Sequence, residues 1–160
     1  MLHNMSENEL AKWRGNYIGM IFQFFQLIPT LTVAENLLLP MDFCGIIPAR
    51  ERRKNANSLM ERVGVIQYAN KLPSFISGGE QQRVAIARSL VNDPMFIFAD
   101  EPTGNLDTKN AEIITELMRE LVSDGKAVVM VTHSKEMAGV ANRIVSINDG
   151  IIVSDVKAVE

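Results

Sequence analysis

Met95-Phe96-Ile97-Phe98-Ala99-Asp100-Glu101 decides how this chain is read: an apolar run that ends in two adjacent acids. A continuous apolar run of that length predicts a buried strand. In open α/β sheets ligands bind beyond the carboxyl ends of strands, and there the two acids fall. Downstream, Asp107 or Thr108 caps a helical pattern carrying Ile113, Ile114, Leu117, Met118 and Leu121, which Asp124-Gly125 ends. Ala127–Val131 reads as a second continuous apolar strand and Arg143–Ile147 as a third. Apolar strands separated by amphipathic helices predict an α/β fold whose parallel sheet is covered on both faces. Asp149-Gly150 predicts a tight hairpin into Ile151–Val153.

Upstream the pattern is mostly helical. Ser6 followed by Glu9 is a capping box, predicting a helix over Glu7–Arg14 with Gly15 just past its end. Tyr17–Phe22 reads as a short buried strand, and Gln23–Pro40 as a loop followed by a helical turn. Pro48, at a first helical position, opens a charged helix through Arg62 with Ala56, Leu59, Met60 and Val63 inward, and Gly64 closes it. Ser77-Gly78-Gly79 opens another, with Val84, Ala87 and Val91 on one face and Ile86 and Leu90 beside them. A subdomain boundary is expected near Pro94.

At 160 residues, 47% apolar and 22% charged, the chain has the balance of one globular domain. A net charge of -3 offers no basic field for nucleic acid or anionic lipid. Cys44 is the single cysteine, so no intrachain disulfide exists, and it reads as a small buried hydrophobe in a reducing compartment. No apolar run reaches the ~20 residues that span a bilayer, and residues 6–14 are too polar for a signal-peptide core. A cytoplasmic protein is expected, held at a membrane only by a partner.

Four features carry chemistry. Asp100 and Glu101 point in different directions on an extended backbone, so one could hold Mg²⁺ while the other faces an attacking water. They could equally be a solvated pair of strand-end acids. Ser77 to Arg83 combines a hydroxyl, two glycines and free N–H groups at a positive helix end, an anion site or an ordinary N-cap. His133, after the second strand, could donate to a phosphate oxygen at the same sheet edge or be structural. Gln23, after the first strand, could ligate Mg²⁺ and position water, although a strand-end Gln usually does neither.

In order and spacing the chain resembles the ATP-binding-cassette (ABC) family within the P-loop ATPases. Gln23 matches the Q-loop, Ser77–Gln82 the signature sequence, Met95–Glu101 the Walker B strand, Asn105-Leu106-Asp107 the D-loop and His133 the switch histidine. The resemblance covers nearly the whole chain. It implies a P-loop-type parallel sheet flanked by helices: residues 1–23 a core segment, 24–93 a helical subdomain with the signature, and 94–160 the α/β core. It implies ATP and Mg²⁺ as ligands. Glu101 would be the general base, Asp100 would hold Mg²⁺, Gln23 would bridge metal and water, and His133 would contact the γ-phosphate. Family members pair head to tail, so Ser77, Gly78, Gly79 and Gln82 would face ATP held by a second ATPase subunit, with Asp107 crossing the interface.

Ile18–Gln23, Leu27-Ile28-Pro29, Thr32–Asn36 and Ala99–Asp107 resemble the lipoprotein-release and macrolide-export branch. In that branch a membrane permease inserts a coupling helix after the Q-loop, and Phe24, Phe25, Leu27 and Ile28 would supply the apolar dock. Core packing for two of the four stays open.

Two departures stand out. Glu80 replaces the signature's usual glutamine and brings negative charge near the expected phosphate. No G-x-x-x-x-G-K-S/T occurs between Met1 and Glu160, whereas the family places that loop before the Q-loop. The resemblance therefore implies that the P-loop and first core strands are absent, with one side of the remaining strands uncovered. The isolated chain is expected neither to bind ATP tightly nor to hydrolyse it. A late-starting piece of a transporter ATPase fits best. A non-catalytic module lending Ser77–Gly79 to a partner, and a soluble cassette ATPase, are the alternatives.

Overall fold

The computed structural model describes residues 5–157, so His3 lies outside them. The elements run α1 (Glu7–Tyr17), β1 (Ile18–Ile21), α2 (Val33–Cys44), α3 (Ala49–Arg62), α4 (Gly78–Ser89), β2 (Phe96–Asp100), α5 (Thr108–Ser123), β3 (Ala127–Val131), α6 (Lys135–Ala138), β4 (Arg143–Asn148) and β5 (Ile151–Lys157).

The sheet is parallel in the order β1-β2-β3. Ile21 lies opposite Ala99, and Asp100 opposite Val131. Three carboxyl ends therefore finish side by side, and the residues just beyond them share one edge. Chain order assigns each end a tether of its own. β1 leads into the loop before α2, β2 into the turn before α5, and β3 into the loop before α6.

Alternation along β2 buries Ile97 and Ala99 and turns Phe96, Phe98 and Asp100 outward. The buried face meets Val84 and Ile86 of α4 and Ile114, Met118 and Leu121 of α5 in one continuous core. Each such buried aliphatic contributes about 1.5–3 kcal/mol relative to an exposed one. The opposite face leaves Met20, Phe96, Phe98, Val129 and Val131 exposed. The sheet is thus covered on one face only, which corrects the expectation of two covered faces and agrees with that of an uncovered side.

Several local expectations also change. α1 runs through Gly15 to Tyr17. A Cβ on Gly15 would come 2.7 Å from Cys44 Sγ, so this glycine lets α1 approach α2 rather than ending the helix. The expected single helical turn before Pro40 is the twelve-residue α2, which contains Pro40. Its start is fixed by a capping box in which Thr32 Oγ1 accepts from the Glu35 amide and the Glu35 carboxylate accepts from the Thr32 amide at 2.7 Å. Pro48 caps α3 from outside instead of opening it. Ile113, expected inward on α5, is exposed. β4 does not join the parallel sheet. It pairs antiparallel with β5, and every residue of both strands is exposed.

Candidate functional site

Beyond β2 the chain turns sharply. Glu101 has φ 42°, in the left-handed region where a side chain is strained, while its N–H still donates to Val131 O at 2.9 Å. That conformation aims the Glu101 side chain across to the end of β3. Its Oε1 accepts from the His133 backbone N–H at 2.8 Å and lies 2.7 Å from His133 Nδ1, and its Oε2 accepts from the Thr132 hydroxyl at 3.1 Å. The Glu101 side chain is 15% exposed and that of His133 79%. A carboxylate offers about four lone-pair directions, so three contacts leave one for a further donor such as water.

With Nδ1–H given to Glu101, the neutral His133 ring has only an acceptor at Nε2. It donates outward to an anion only as the imidazolium. Asp100, one residue earlier, points away and is exposed. Among the described residues its carboxylate enters no hydrogen bond or ion pair, so its oxygens remain open.

The end of β1 joins the same cluster. A Cβ on Gly104 would stand 3.1 Å from Gln23 Nε2 and 3.3 Å from Glu101 Cβ, so the Gln23 amide reaches the turn that follows Glu101. Asn105 Nδ2 donates to Gln23 O at 3.2 Å, and the turn itself closes by Gly104 N–H to Glu101 O at 3.0 Å. Gln23, Asp100, Glu101 and His133, chosen from sequence, thus meet at one edge.

The Ser77 segment forms a second cluster on α4. Ser77 is the N-cap, and its N–H and Oγ both donate to Glu80 Oε2, at 2.6 and 2.8 Å. Glu80 is therefore folded back onto the cap rather than extended outward. Burial pushes its carboxyl up, but the Tyr68 hydroxyl and the two Ser77 donors outweigh that and hold it below the ordinary range. Gly79 is buried against Asn110, which also accepts from Arg83 Nη1 at 3.2 Å and donates to Asp107 Oδ2 at 2.9 Å. Asp107 caps α5, and the Asn110 backbone N–H is the main reason its carboxyl sits below the usual range.

Gln82, expected to face nucleotide, is 1% exposed and donates from Nε2 to Pro102 O at 2.7 Å. It ties α4 to the turn after Glu101, so the two clusters are mechanically joined. Of the expected dock, Phe24 is 69% exposed and Ile28 is exposed as well. Leu27 packs against the core, and the Phe25 ring lies where a Cβ on Gly78 would meet it at 3.6 Å.

Sequence reasoning missed four residues. Thr132 braces Glu101, and its position beside His133 after an apolar strand was the available signal. Asn110 and Arg88 looked like ordinary helix residues. Asn36 is buried, and it accepts from Ile28 N and donates to the carbonyls of Ile28, Leu31 and Thr32.

Among the described residues no group of three or more His, Cys, Asp or Glu could enclose a metal ion. The exposed Asp100 carboxylate, free of hydrogen bonds and ion pairs among the described residues, is nevertheless an oxygen ligand of the kind Mg²⁺ takes, since that ion keeps several waters and shares its shell with phosphate oxygens. No helix among the described residues is long and apolar enough to cross a membrane.

Residues 2–104 match the family described as ABC transporter. An uncharacterized ABC transporter ATP-binding protein of Thermotoga maritima is 51% identical over 148 residues, which span 92% of this chain and 63% of that protein. The macrolide export ATP-binding/permease protein MacB of Chlorobaculum tepidum is 46% identical, across 96% of this chain and 23% of its own length. The lipoprotein-releasing system ATP-binding protein LolD of Aquifex aeolicus is 40% identical, across 96% and 68%. Among solved structures, the dimeric post-hydrolysis state of the ATP-binding cassette MJ0796 bound to ADP and Pi superposes with a TM-score of 0.85. It is 43% identical, across 96% of this chain and 68% of that one. This chain accordingly spans less than two thirds of the first two curated relatives.

Proposed function

The chain belongs to the ABC transporter family, and from that premise we propose that it serves as the ATP-hydrolysing subunit of a membrane transporter of the export or extraction type. One observation carries the reading. The Glu101 carboxylate, at the end of the central strand, is held by Thr132 and His133, and its Cβ stands at the Gly104 turn that the Gln23 amide also reaches.

Glu101 accepts the proton of an attacking water through its remaining lone pair, and the His133 ring stabilises the carboxylate in position. Gln23 orients that water from the neighbouring strand end. Asp100 would hold Mg²⁺, which when bound offsets charge on the phosphate oxygens. Ser77, Gly78 and Gly79 present the start of α4 toward nucleotide carried by a second subunit in a head-to-tail pair. Asp107 is linked to the same surface through Asn110. Gln82, being buried, acts on this surface only through Pro102.

Exposed Phe24 and Ile28 are the two residues of the loop best placed to receive a permease helix. A subunit held in this way would sit on the cytoplasmic face of the membrane. We read residues 1–23, 24–93 and 94–160 as core segment, helical subdomain and α/β core. The 160 residues contain no G-x-x-x-x-G-K-S/T, so this stretch by itself is expected to be inactive.

The test is Glu101→Gln in the transporter ATPase that contains this sequence. A general base contributes roughly 10²–10⁴-fold, and hydrolysis should fall by that factor while ATP stays bound. Unchanged turnover would remove Glu101 from the role. Turnover that needs Ser77 but ignores Glu101 would instead favour a module that lends its helix to a partner's site.

A further inference from the structure

The loop after Gln23 adopts a conformation that its own sequence does not explain. Phe25 and Gln26 are consecutive non-glycine residues in the left-handed region, with φ 59° and 52°. Such backbone costs roughly 1–2 kcal/mol per residue, so something outside the loop must hold it. The holder is on α4. Arg88 Nη2 donates to Phe25 O at 2.8 Å, and Nη1 donates to Gln26 O. Arg88 forms no ion pair with a carboxylate among the described residues, and burial lowers the pKa of its guanidinium. A half-buried cation with no counter-ion is expensive unless acceptors meet its donors, and here two carbonyls accept from it.

The same loop lies against α4 again at the start of the helix, where the Phe25 ring is 3.6 Å from the place a Cβ on Gly78 would take. Gly78 and Arg88 stand ten positions apart, so one helix holds one loop near both of its own termini. Gln23 immediately precedes this loop, and Ser77–Gly79 begin the helix.

We propose that Arg88 is a positioning residue that clamps the post-Gln23 loop to α4, so that the Gln23 amide and the Ser77–Gly79 surface shift as one body. The clamp needs no nucleotide and no carboxylate. Its two planar donors match two successive carbonyls that only the left-handed turn brings together, a geometry that one ammonium cannot reproduce. It rests on the proposed ATPase reading only for its consequence in turnover.

The experiment is amide hydrogen exchange on the 160-residue chain without nucleotide, comparing wild type with Arg88→Met, Arg88→Lys and Phe25→Ala. In Arg88→Met, exchange across residues 24–28 should rise roughly ten- to hundredfold, as expected for losing two hydrogen bonds from a charged donor. Residues 78–81 should follow, while the middle of α5 stays unchanged. Arg88→Lys should fall between wild type and Met. Phe25→Ala should free residues 78–81 and leave the amides after the clamped carbonyls protected. Three results would overturn the proposal: no rise across 24–28 in Arg88→Met, an equal rise in α5, or Lys behaving as Met. In the ATP-hydrolysing assembly the same Met variant should lower kcat with little change in KM. Exchange as expected with no turnover in wild type would fault the ATPase reading and leave the clamp standing.

Discussion

Gly78 and Gly79 are neighbours in the first turn of the same helix, yet alanine at the two sites should have opposite effects. Neither has a positive φ, so alanine fits the backbone at both, and replacing a helical glycine gains up to ~1 kcal/mol. At Gly78 the new Cβ would meet only Phe25 Cζ at 3.6 Å, an ordinary contact. At Gly79 it would fall 2.2 Å from Asn110 Oδ1 and 2.3 Å from Cγ, so the Asn110 side chain must leave. Its departure costs the bonds to Asp107 at 2.9 Å and from Arg83 at 3.2 Å. At about 1 kcal/mol each, plus overpacking of about 1–3 kcal/mol, the loss exceeds the propensity gain, for a net destabilisation of roughly 2–5 kcal/mol. Gly78→Ala should be neutral or stabilising by up to ~1 kcal/mol.

Urea unfolding followed by far-UV circular dichroism reads both. The decisive arm is the Asn110→Ala background, where the obstacle is gone and Gly79→Ala should become neutral or favourable. The coupling between the two sites should then be about 3–5 kcal/mol. Equal stability of the two single variants would refute the reasoning. So would a Gly79→Ala cost that persists without Asn110.

Three further expectations follow from the same geometry. Gly19→Ala should destabilise by about 3 kcal/mol in a urea titration, because its Cβ would meet the immovable backbone oxygen of Ser89 at 2.5 Å. A near-neutral variant would mean that α4 does not press on β1 as described. Asn36→Ala should cost about 2–4 kcal/mol, since one buried amide serves four backbone partners in residues 28–32. Proteolysis of that loop should accelerate in parallel, and an unaltered cleavage rate would count against it. Glu35, Glu80 and Asp107 each hold a lowered carboxyl pKa: the Thr32 and Asn110 backbone donors lead at Glu35 and Asp107, and Tyr68 and Ser77 outweigh burial at Glu80. Because the folded values lie below the unfolded ones, the stability they contribute is fully present above the ordinary carboxylate range and is lost as pH falls through the lowered values. Glu80→Gln should therefore flatten thermal stability below about pH 4, and an identical acid limb would exclude the contribution.

The site was legible where chemistry and strand ends coincide. The apolar runs before Gln23, Asp100 and His133 are continuous, and parallel pairing then puts three ends at one edge without further information. Of the capping boxes, the one at Ser6 was anticipated, whereas those at Thr32 and Ser77 were not, and the one at Thr32 fixed a helix that Pro40 had disguised. What stayed hidden depends on tertiary contact. Arg88 follows an apolar stretch and looks like a solvated helix end, but its meaning comes from two carbonyls more than sixty positions away in sequence. Gly15 carries the signal of a helix stop and instead serves close approach to Cys44. The number of covered faces on the sheet was equally beyond local pattern, because alternation along β2 appears only when Phe96 and Phe98 are seen to point away from α4 and α5.

The β4–β5 hairpin sets how this chain should melt. Its residues are exposed throughout, and an isolated two-stranded hairpin is marginal in water. It therefore adds little to the cooperative unit centred on Ile97, Ile86 and Met118. A probe placed on the hairpin and a probe placed on α4 would record two transitions, and the free energy fitted to the second would describe only the body that carries Glu101.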